Sequence, residues 1–530
     1  MQAPIDVLKD VFGYASFRPG QEEIVNEALS GKDVLGIMPT GAGKSVCYQI
    51  PAILKGGVSV VISPLISLMK DQVDALRQNG VRAAAINSSL SWDSVSDVFS
   101  AARRGTIKLL YIAPERLDRK GFREFLSSID VAMMIVDEAH CVSQWGHDFR
   151  PSYLNIAPVI SSMKRRPVIA AFTATATEDV REDIVRQLAL ESPFTLVTGF
   201  DRENLFFQVE TPGDKMAFLM EYVKKFSTLP GIVYCSTRRA VEETCRKLTA
   251  SGVRAVRYHA GLDDSERLRN QDAFISDRAD VMVATNAFGM GIDKPNVRYV
   301  IHYNMPGSID SYYQEAGRAG RDGSPADCIL LFAKSDIMTA RYLISQWEDE
   351  EIKKSGYLKL CSMIDYCNTS GCLRAYILGY FGERRGLKSC GGCGNCLSSA
   401  DRADITIEAQ KILSCVYRME KQAGGKRFSA SSVTEVLLGY CGENILSLGL
   451  EKISTWGLMK DCNADAIHDV INFLIAENYL REEDEECPVL SFTDRTLPFL
   501  RSKRRLMIRR HGKNTQGESR LAARLINADF

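Results

Sequence analysis

Met38-Pro-Thr-Gly-Ala-Gly-Lys-Ser45 is the stretch that decides the fold of this chain. An apolar run typical of a buried strand precedes it at residues 34–38, and a stretch compatible with a helix follows from Lys44. Gly41 and Gly43 have no side chains, so backbone N–H groups in this turn can approach a phosphate closely and point at it. A glycine-rich turn between a strand and a helix therefore predicts a phosphate-binding loop.

The end of this loop supplies a charge and a metal ligand. Lys44 is placed to meet the β- and γ-phosphates, and the hydroxyl of Ser45 can bind Mg²⁺. Thr40 belongs to the same expected nucleotide-binding set as the loop glycines. Met38 departs from the general pattern, which begins with glycine.

An acidic pair follows later in the chain, in Asp137-Glu-Ala-His140. It ends the apolar run 131–136, and the carboxyl ends of parallel strands form the ligand-binding edge of a sheet. Asp137 is expected to hold Mg²⁺, and Glu138 to orient or deprotonate the attacking water. A glycine turn beside a buried acidic strand end could also be purely structural, but two agreeing motifs favour a nucleoside triphosphatase.

Short apolar runs alternate with helical stretches in two successive series. Strands are predicted at residues 34–38, 58–63, 109–113, 131–137 and 168–175, and again at 231–236, 253–259, 280–285, 297–303 and 327–332. Near-continuous apolar strands suit parallel sheets that are covered on both faces. Two α/β domains are therefore expected, joined near residues 202–212.

Composition limits the class of protein and its compartment. The 530 residues suggest several domains, and 66 Lys and Arg balance 66 Asp and Glu, so nucleic-acid binding would need a local basic surface. The N-terminus has no apolar signal core and no uncharged apolar run reaches membrane-spanning length, so a cytoplasmic protein without a membrane partner is expected. The 15 cysteines should then be thiols or metal ligands, not a disulfide framework.

The second series of strands carries a charged motif, Gln314-Glu-Ala-Gly-Arg-Ala-Gly-Arg-Asp-Gly323. If this stretch is helical, Arg318 and Arg321 share one face and could reach phosphates bound by the first domain. An arginine that arrives only when the domains close would couple hydrolysis to domain motion. A surface network of arginine and glutamate is the alternative, and the phosphate loop elsewhere in the chain favours the catalytic interpretation.

These motifs, in their order and spacing, resemble superfamily 2 helicases and, within them, the RecQ family of DNA helicases. Phe12-Gly-Tyr-Ala-Ser-Phe-Arg-Pro-Gly-Gln-Glu22 looks like the extra N-terminal motif of that family. The resemblance implies that Tyr14 and Arg18 sandwich the adenine of ATP while Gln21 hydrogen-bonds its edge. It also implies that Arg321 takes the arginine-finger position, with Arg318 beside it.

Further segments are similar to the motifs by which members of the same family contact the DNA strand and the nucleotide. Residues 63–72 and 111–117 look like strand-tracking segments, and residues 172–177 resemble the motif that links hydrolysis to movement. Ala284-Thr-Asn-Ala-Phe-Gly-Met-Gly-Ile-Asp293 looks like the second-domain motif that touches nucleotide and DNA, which brings Asp293 into the expected nucleotide site.

Ser143-Gln-Trp-Gly-His-Asp-Phe-Arg-Pro-Ser-Tyr153 resembles the aromatic-rich loop of the family, which senses single-stranded DNA. Aromatic residues at every fourth position, as here, are more often core residues of a helix. However, a glycine and a proline interrupt the stretch, and its polar residues suit a loop that stacks bases on aromatic rings. Ser143, Gln144, Trp145, Phe149 and Arg150 are the expected DNA contacts, with Trp145 first.

A zinc site is expected from Cys390-Gly-Gly-Cys-Gly-Asn-Cys396, whose three thiolates can wrap a tetrahedral ion. The resemblance makes Cys372 the fourth ligand beside Cys390, Cys393 and Cys396, with Cys367 and then Cys361 as rivals. Four sulfur ligands would make the zinc structural. Free buried cysteines are the alternative.

The C-terminal part looks like the winged-helix domain of the family, over residues 405–500, although a small interaction domain would have a similar pattern. The additional C-terminal helical domain of many relatives is expected to be absent. The expected fold is α/β, with two tandem RecA-like parallel-sheet domains followed by a helical zinc-binding domain and a winged-helix domain. The expected bounds are 1–205, 206–341, 342–400 and 401–515, with a tail at 516–530.

The resemblance implies an ATP- and Mg²⁺-dependent DNA helicase that moves 3′ to 5′ and acts in DNA repair and recombination. Its expected partner is DNA, single-stranded or as tailed or forked duplex, with a single-stranded-DNA-binding protein as a further partner. A monomer associated with the cytoplasmic nucleoid is expected. An RNA-stimulated helicase and a non-catalytic architectural DNA-binding protein are the alternatives.

Overall fold

A computed structural model describes residues 2–86, 90, 92–146, 148–289, 294–383, 389–397, 402–440, 443–477, 479–483, 489–502 and 505–509. Asp293, expected at the nucleotide site, lies outside these ranges, as does the whole of the predicted tail 516–530. The described residues form two parallel sheets covered by helices, followed by two smaller regions.

The first sheet has seven strands, all parallel, in the order β3-β4-β2-β5-β6-β1-β7. Its strands are β1 Val34–Ile37, β2 Val58–Ile62, β3 Ala83–Ile86, β4 Leu109–Ile112, β5 Val131–Val136, β6 Val168–Thr173 and β7 Phe194–Val197. The helices of this region are α1 Pro4–Phe12, α2 Gln21–Ser30, α3 Lys44–Leu54, α4 Ile66–Gln78, α5 Trp92–Arg103, α6 Lys120–Ser127, α7 Ile156–Ser161 and α8 Glu178–Gln187. Short 3₁₀ helices lie at Pro114–Asp118, Ala139–Val142 and Pro151–Asn155.

The second sheet has six strands, again all parallel, in the order β10-β11-β9-β12-β13-β8. Its strands are β8 Leu205–Glu210, β9 Gly231–Tyr234, β10 Ala255–Tyr258, β11 Val281–Ala284, β12 Tyr299–His302 and β13 Ala326–Leu331. Its helices are α9 Lys215–Lys225, α10 Arg238–Ala250, α11 Asp264–Ile275 and α12 Ile309–Ala316. The prediction of two parallel α/β sheets is confirmed.

Two smaller regions complete the described chain. A helical region carries the cysteine motif and comprises α13 Lys334–Ser345, α14 Glu350–Asn368, α15 Leu373–Tyr380 and α16 Gly394–Leu397. The last region has a separate apolar core and comprises β14 Arg402–Asp404, α17 Thr406–Gln422, α18 Ala430–Leu438, α19 Glu443–Ser447, a 3₁₀ helix at Leu450–Lys452, α20 Ala464–Ala476, β15 Leu480–Glu483, β16 Val489–Phe492, α21 Thr496–Arg501 and β17 Met507–Arg509. Strands β15 and β16 pair antiparallel, as do β14 and β17.

All ten predicted strands are present, and nearly all of them are apolar runs buried on both faces of their sheet, whereas the edge strand β10 is half-buried. Three further strands of the two parallel sheets were not predicted. β3 is alanine-rich and lacks the β-branched residues that mark strands, while β7 is a half-buried edge strand. β8 lies within residues 202–212, which were expected to be a connection between domains, so the segment between the sheets is only 198–204. The expected boundary at residue 341 falls inside α13.

The sheet order places three loops together. β6 lies between β1 and β5, so the loops that follow these three strands share one edge of the first sheet. Carboxyl ends of parallel strands form the ligand-binding edge of such sheets. Within the described ranges, no helix is both long enough and apolar enough to cross a bilayer.

Candidate functional site

The loop after β1 has the backbone shape of a phosphate cradle. Gly41 and Gly43 adopt left-handed conformations, with φ of 85° and 82°, directly before α3 begins at Lys44. The positive φ of Gly43 favours glycine, and a Cβ added there would lie 2.6 Å from Nε2 of Gln21 and would displace that amide. Open backbone N–H groups at the start of α3 then face the end of the sheet, where an anion is favoured.

Lys44 is half-buried at the centre of this edge. Its Nζ donates a hydrogen bond to the carbonyl oxygen of Met38, at 3.2 Å. Burial lowers the pKa of Lys44, while the nearby Glu138 and Asp137 act in the opposite direction. Met38 replaces the usual first glycine without disturbing the loop, because its side chain is fully buried in the sheet core and only its carbonyl faces the site.

The acidic pair follows β5, as predicted. Tyr153 donates a hydrogen bond from its hydroxyl to the carbonyl oxygen of Asp137, at 3.0 Å, and fixes the turn. Burial, together with the adjacent Glu138, raises the pKa of Asp137 to about 7. Glu138 adopts a left-handed conformation, with φ of 47°, which is strained for a residue with a side chain. Such strain at a site edge often accompanies function.

The oxygen donors of this edge fit a hard divalent cation. Oε2 of Glu138 is buried and accepts no hydrogen bond from the residues that the structure describes. The carboxylates of Asp137 and Glu138 raise each other's energy, and a bound cation would relieve that repulsion. Ser45 adds a hydroxyl at the first turn of α3. Carboxylate and hydroxyl oxygens are the ligands that Mg²⁺ prefers.

The acidic pair is linked to the loop after β6. Nδ1 of His140 lies 2.8 Å from Oγ1 of Thr173 and 3.4 Å from Oε2 of Glu138. The hydroxyl of Thr173 also donates to the carbonyl oxygen of Thr175, at 3.1 Å. A change at Glu138 can therefore reach residues 172–177 through one histidine ring.

The expected adenine-binding residues lie beside the phosphate loop. Arg18 donates from Nη1 to the carbonyl oxygen of Gly41, at 2.5 Å. Gln21 donates from Nε2 to the carbonyl oxygens of Ala42 and Gly43, at 3.1 and 3.2 Å, so its amide holds the loop in this structure. Tyr14 is 52% exposed and its ring is open to a planar ligand.

The two arginines of the second domain do not share a face, so the helical interpretation was wrong. Helix α12 ends at Ala316, and Arg318 and Arg321 lie in the turns that follow it. Arg321 lies against the phosphate loop, since its Cγ would be 3.6 Å from a Cβ on Gly41, and its charge contributes to the lowered pKa of Lys44. Arg318 turns the other way and donates to the carbonyl oxygen of Gly289.

Arg202, which the sequence did not single out, lies between the two sheets. Its guanidinium donates to the carbonyl oxygen of Thr40, at 3.4 Å, and to those of Gly317, Ala319 and Gly320, at 3.2, 3.0 and 2.7 Å. The site is therefore built by both sheets and by the segment that joins them. No motif marks this arginine, because most of its partners are backbone atoms distant in sequence; the exception is Oδ1 of Asn204, which accepts from Nε at 3.3 Å.

The aromatic-rich stretch 143–153 is a loop that runs into a short 3₁₀ helix, and some of its aromatic side chains are buried whereas others are exposed. Tyr153 is fully buried, whereas Trp145 is 45% exposed. Ser143 is buried, and its Oγ accepts a hydrogen bond from the backbone N–H of Trp145, at 3.2 Å. Phe149 is half-buried, so the period-four spacing does not describe one continuous stripe.

Polar contacts shape both ends of this loop. Gln144 is exposed, and Arg150 pairs with Asp148 at 3.1 Å and donates to the carbonyl oxygen of Pro64 at 3.3 Å. Lys359 of α14 donates from Nζ to the carbonyl oxygen of Gly146, at 2.7 Å. The cysteine-bearing region thus contacts the loop directly, through a lysine that the sequence analysis did not identify.

The four expected zinc ligands converge on one point. The Sγ atoms of Cys372, Cys390, Cys393 and Cys396 all lie within 4.8 Å of one another. The pairs Cys372–Cys393 and Cys390–Cys396 are separated by 3.9 and 4.0 Å. Four sulfurs at about 2.3 Å from a tetrahedral zinc would be about 3.8 Å apart, so the cluster has the right size. Among the described residues, the rivals Cys361 and Cys367 are not part of it.

The backbone around the cluster favours thiolates. Cys372 caps the start of α15 and accepts a hydrogen bond from the N–H of Ala375, at 3.4 Å, and Cys390 accepts one from Gly392, at 3.3 Å. Hydrogen bonds from the neighbouring thiols, Cys393 first, lower the pKa of Cys372. Four sulfur donors leave no open position, so bound zinc would hold α15 and α16 together.

Four family profiles match the chain in succession. The DEAD/DEAH box helicase profile matches residues 18–183, and the helicase conserved C-terminal domain matches 214–323. The RecQ zinc-binding profile matches residues 334–397, and the RQC domain matches 399–516.

Relatives and solved structures agree with these profiles. The ATP-dependent DNA helicase RecQ of Bacillus subtilis is 47% identical over 485 residues, which are 91% of this chain and 81% of that protein. The protein of the same name from Pasteurella multocida is 41% identical over 508 residues, 96% of this chain and 79% of that protein. Saccharomyces cerevisiae Dbp5 bound to RNA and ADP BeF3 has a TM-score of 0.53 at 17% identity, over 68% of this chain and 98% of that one, which shows the fold alone.

Two RecA-like sheets that meet at one phosphate loop define the core of a superfamily 2 helicase. The two smaller regions identify the family within that class, because the first matches the RecQ zinc-binding profile and the second matches the RQC domain. The chain belongs to the RecQ family of helicases.

Replacing Cys393 by serine should remove the metal. Cys393 is fully buried within the cluster, and serine is a poor zinc ligand, so bound zinc should fall from about one per chain to near zero. Atomic absorption on the purified protein measures this. Cys361→Ser and Cys367→Ser are the matched controls and should keep their zinc; loss of zinc in either control, with retention in Cys393→Ser, would contradict the ligand set.

Proposed function

We propose that this chain is an ATP-dependent DNA helicase that moves 3′ to 5′ along single-stranded DNA and separates duplex DNA in repair and recombination. The observation that carries the proposal is the position of Arg321. It comes from the second sheet region and lies against the phosphate loop of the first, near Lys44. A nucleotide site shared between two sheets changes when the sheets move, as a motor requires.

The residues of the first sheet would bind and activate the nucleotide. Lys44 neutralises the β- and γ-phosphates, and the backbone of Gly41 and Gly43 cradles them. Ser45 and Asp137 would hold Mg²⁺, which supplies charge neutralisation between the β- and γ-phosphate oxygens. Tyr14, Arg18 and Gln21 would recognise adenine once the amide of Gln21 releases the loop, while Thr40 borders the phosphates.

Glu138 would accept a proton from the attacking water, or orient it. Its buried oxygen accepts no hydrogen bond from the described residues and faces the same edge as Asp137 and Lys44. Arg321 would stabilise charge on the transferred phosphoryl group as an arginine finger. Arg318 donates to the carbonyl oxygen of Gly289 and would thereby support the second-domain motif that contains Gly289. Asp293 stays a prediction outside the described residues.

Single-stranded DNA would engage the aromatic-rich loop. Trp145 offers an exposed ring on which a base can stack, and Gln144, Phe149 and Arg150 of the same loop would add further contacts. Ser143 would act mainly by shaping the loop, since its hydroxyl is buried against the N–H of Trp145. Because this loop follows the acidic pair directly, base stacking could alter the position of Glu138.

We further propose that the chain is a monomer located with the cytoplasmic nucleoid, and that a single-stranded-DNA-binding protein is one of its partners. The domain bounds expected from the sequence are part of the same proposal. The RQC region, residues 399–516, would hold duplex DNA ahead of the motor through phosphate contacts.

Strand separation on tailed duplexes tests the function as a whole. Duplexes with a 3′ or a 5′ single-stranded tail, of DNA or of RNA, are mixed with ATP and the products are separated by native electrophoresis. Only the DNA with a 3′ tail should be unwound. Unwinding of the 5′-tailed DNA would contradict the polarity, unwinding of RNA alone would contradict the substrate, and ATP turnover without unwinding would leave only a translocase.

Lys44→Ala and Glu138→Gln should each lower ATP turnover by about 10²- to 10³-fold, because each removes a group that acts on the reacting phosphate or water. Steady-state phosphate release in the presence of single-stranded DNA measures this. Lys32→Ala is the matched control, since Lys32 is an exposed lysine of the same region that pairs with Glu27. Near-normal turnover in either site variant would defeat the assignment of these residues.

Trp145→Ala should weaken binding of single-stranded DNA by about 5- to 150-fold, as expected for loss of about 1–3 kcal/mol of stacking, with basal ATP turnover unchanged. Fluorescence anisotropy and DNA-dependent ATPase assays measure the two quantities. Trp347→Ala is the matched control, since Trp347 is similarly exposed but is not part of the aromatic-rich loop. Equal loss of basal and stimulated turnover would indicate that Trp145 is needed for packing instead.

A further inference from the structure

Arg202 occupies the short segment 198–204 that joins the two sheets. Its guanidinium is half-buried, and it is surrounded by carbonyl oxygens instead of carboxylates. Burial lowers the pKa of Arg202, yet a guanidinium keeps its charge in a protein. A charge held by converging carbonyl dipoles fixes the backbone that carries them, since each bond has a set direction.

The acceptors belong to the two halves of the nucleotide site. Thr40 directly precedes Gly41 in the phosphate loop. Gly317, Ala319 and Gly320 surround Arg318 and lead into Arg321. One planar group therefore joins the backbone that cradles phosphate to the backbone that carries the arginine finger.

The lengths of these hydrogen bonds indicate which half of the nucleotide site Arg202 would move with. Its bonds to Gly320 and Ala319 are 2.7 and 3.0 Å, whereas that to Thr40 is 3.4 Å. Asn204 reinforces the shorter side, because its side chain donates to Gly320 at 2.8 Å and to Ser324 at 2.9 Å. When the sheets separate, the longer hydrogen bond to Thr40 should break first. Arg202 should then stay bound to residues 317–321, the arginine segment.

The backbone of Arg202 is fixed from a third direction. Arg374 of α15 donates to the carboxylate of Asp201 at 2.5 Å and to the carbonyl oxygens of Arg202 and Leu205 at 2.7 and 2.5 Å. Arg374 is itself buried. The guanidinium of Arg202 thus projects from a rigid base, which is the condition for it to position another group.

We infer that Arg202 is a positioning residue that sets the arginine segment against the phosphate loop, so that Arg321 reaches the transferred phosphate. This role presupposes the proposed function, since it concerns Arg321 in ATP hydrolysis. Arg202 acts through the backbone carbonyl groups of Gly317, Ala319 and Gly320. A displacement of about 1 Å at a reacting group costs about 10²-fold in rate, so the loss of these bonds should be visible.

Lysine cannot replace Arg202 in this role. Its ammonium group keeps the charge but offers three donors from one point, whereas the guanidinium spreads five donors over a plane. Arg202→Lys therefore removes the geometry and keeps the charge, and Arg202→Gln removes both. A residue needed only for folding would tolerate lysine, or would lower stability without a selective effect on turnover.

A double-mutant cycle with Arg321 tests the inference. The turnover number and the KM for ATP are measured at saturating single-stranded DNA for Arg202→Lys, Arg202→Gln, Arg321→Ala and the combined variants, with thermal unfolding as a check of folding. Arg202→Lys should lower kcat by about 10²-fold while KM changes by less than about threefold. In the Arg321→Ala background the same substitution should lower kcat by less than about twofold, because the group that it positions is gone.

The control is another arginine beside the same segment. Arg298 donates to the carboxylate of Asp322 at 2.7 Å and to the carbonyl oxygen of Pro295 at 3.1 Å, and these acceptors lie outside the phosphate loop. Arg298→Gln should leave kcat within about twofold of the unmodified protein. If neither Arg202 variant folds, Asn204→Ala removes bonds to the same carbonyl of Gly320 and should show a smaller loss, again absent in the Arg321→Ala background.

The possible outcomes separate the positioning role of Arg202 from the proposed function of the whole chain. Equal losses from Arg202→Lys with and without Arg321, or an unchanged kcat, would overturn the positioning role alone. Normal turnover in Arg321→Ala would overturn both the arginine finger and the role of Arg202. Absence of DNA-stimulated ATP hydrolysis in the unmodified protein would instead overturn the proposed function.

Discussion

A balance of buried charge at one sheet edge underlies the whole arrangement. Lys44 lies near Asp137 and Glu138, and Arg321 approaches from the other sheet. Burial disfavours each of these charges alone, which is why the pKa of Lys44 is lowered and that of Asp137 is raised. Two cations against two carboxylates nearly neutralise one another. A triphosphate with its cation would enter the same balance, so binding must redistribute the contacts that now hold the sheets together.

The sequence was sufficient for the parts of the site that are contiguous. The loop before α3 and the acidic pair after β5 each combine an apolar run with their functional residues, so strand, turn and chemistry could be read together. Arg318 and Arg321 could be recognised as functional but not placed, because a shared face required a helix that continues beyond Ala316, where the helix ends. The alanine-rich β3 and the edge strand β7 lacked the composition by which strands are recognised.

Residues that act through the backbone of distant segments could not be predicted. The partners of Arg202 are carbonyl groups of Thr40 and of residues 317–320, and every residue has a carbonyl group. The same holds for Lys359, which donates to the carbonyl oxygen of Gly146. Sequence patterns report side-chain chemistry, whereas these contacts depend on the tertiary approach of main chain. They lie at the junctions between regions, where a motor has to transmit movement.

The bonds of Arg374 have a consequence for what counts as one mechanical unit. Arg374 follows Cys372 by two residues at the start of α15, and it holds the segment between the sheets at Asp201, in its middle, and at Leu205, where β8 begins. The family profiles separate residues 214–323 from 334–397, but these hydrogen bonds assign the connection between the sheets to the cysteine cluster. Exchanging the zinc-binding region of this chain for another would therefore also replace the side chain that fixes the segment between the two sheets.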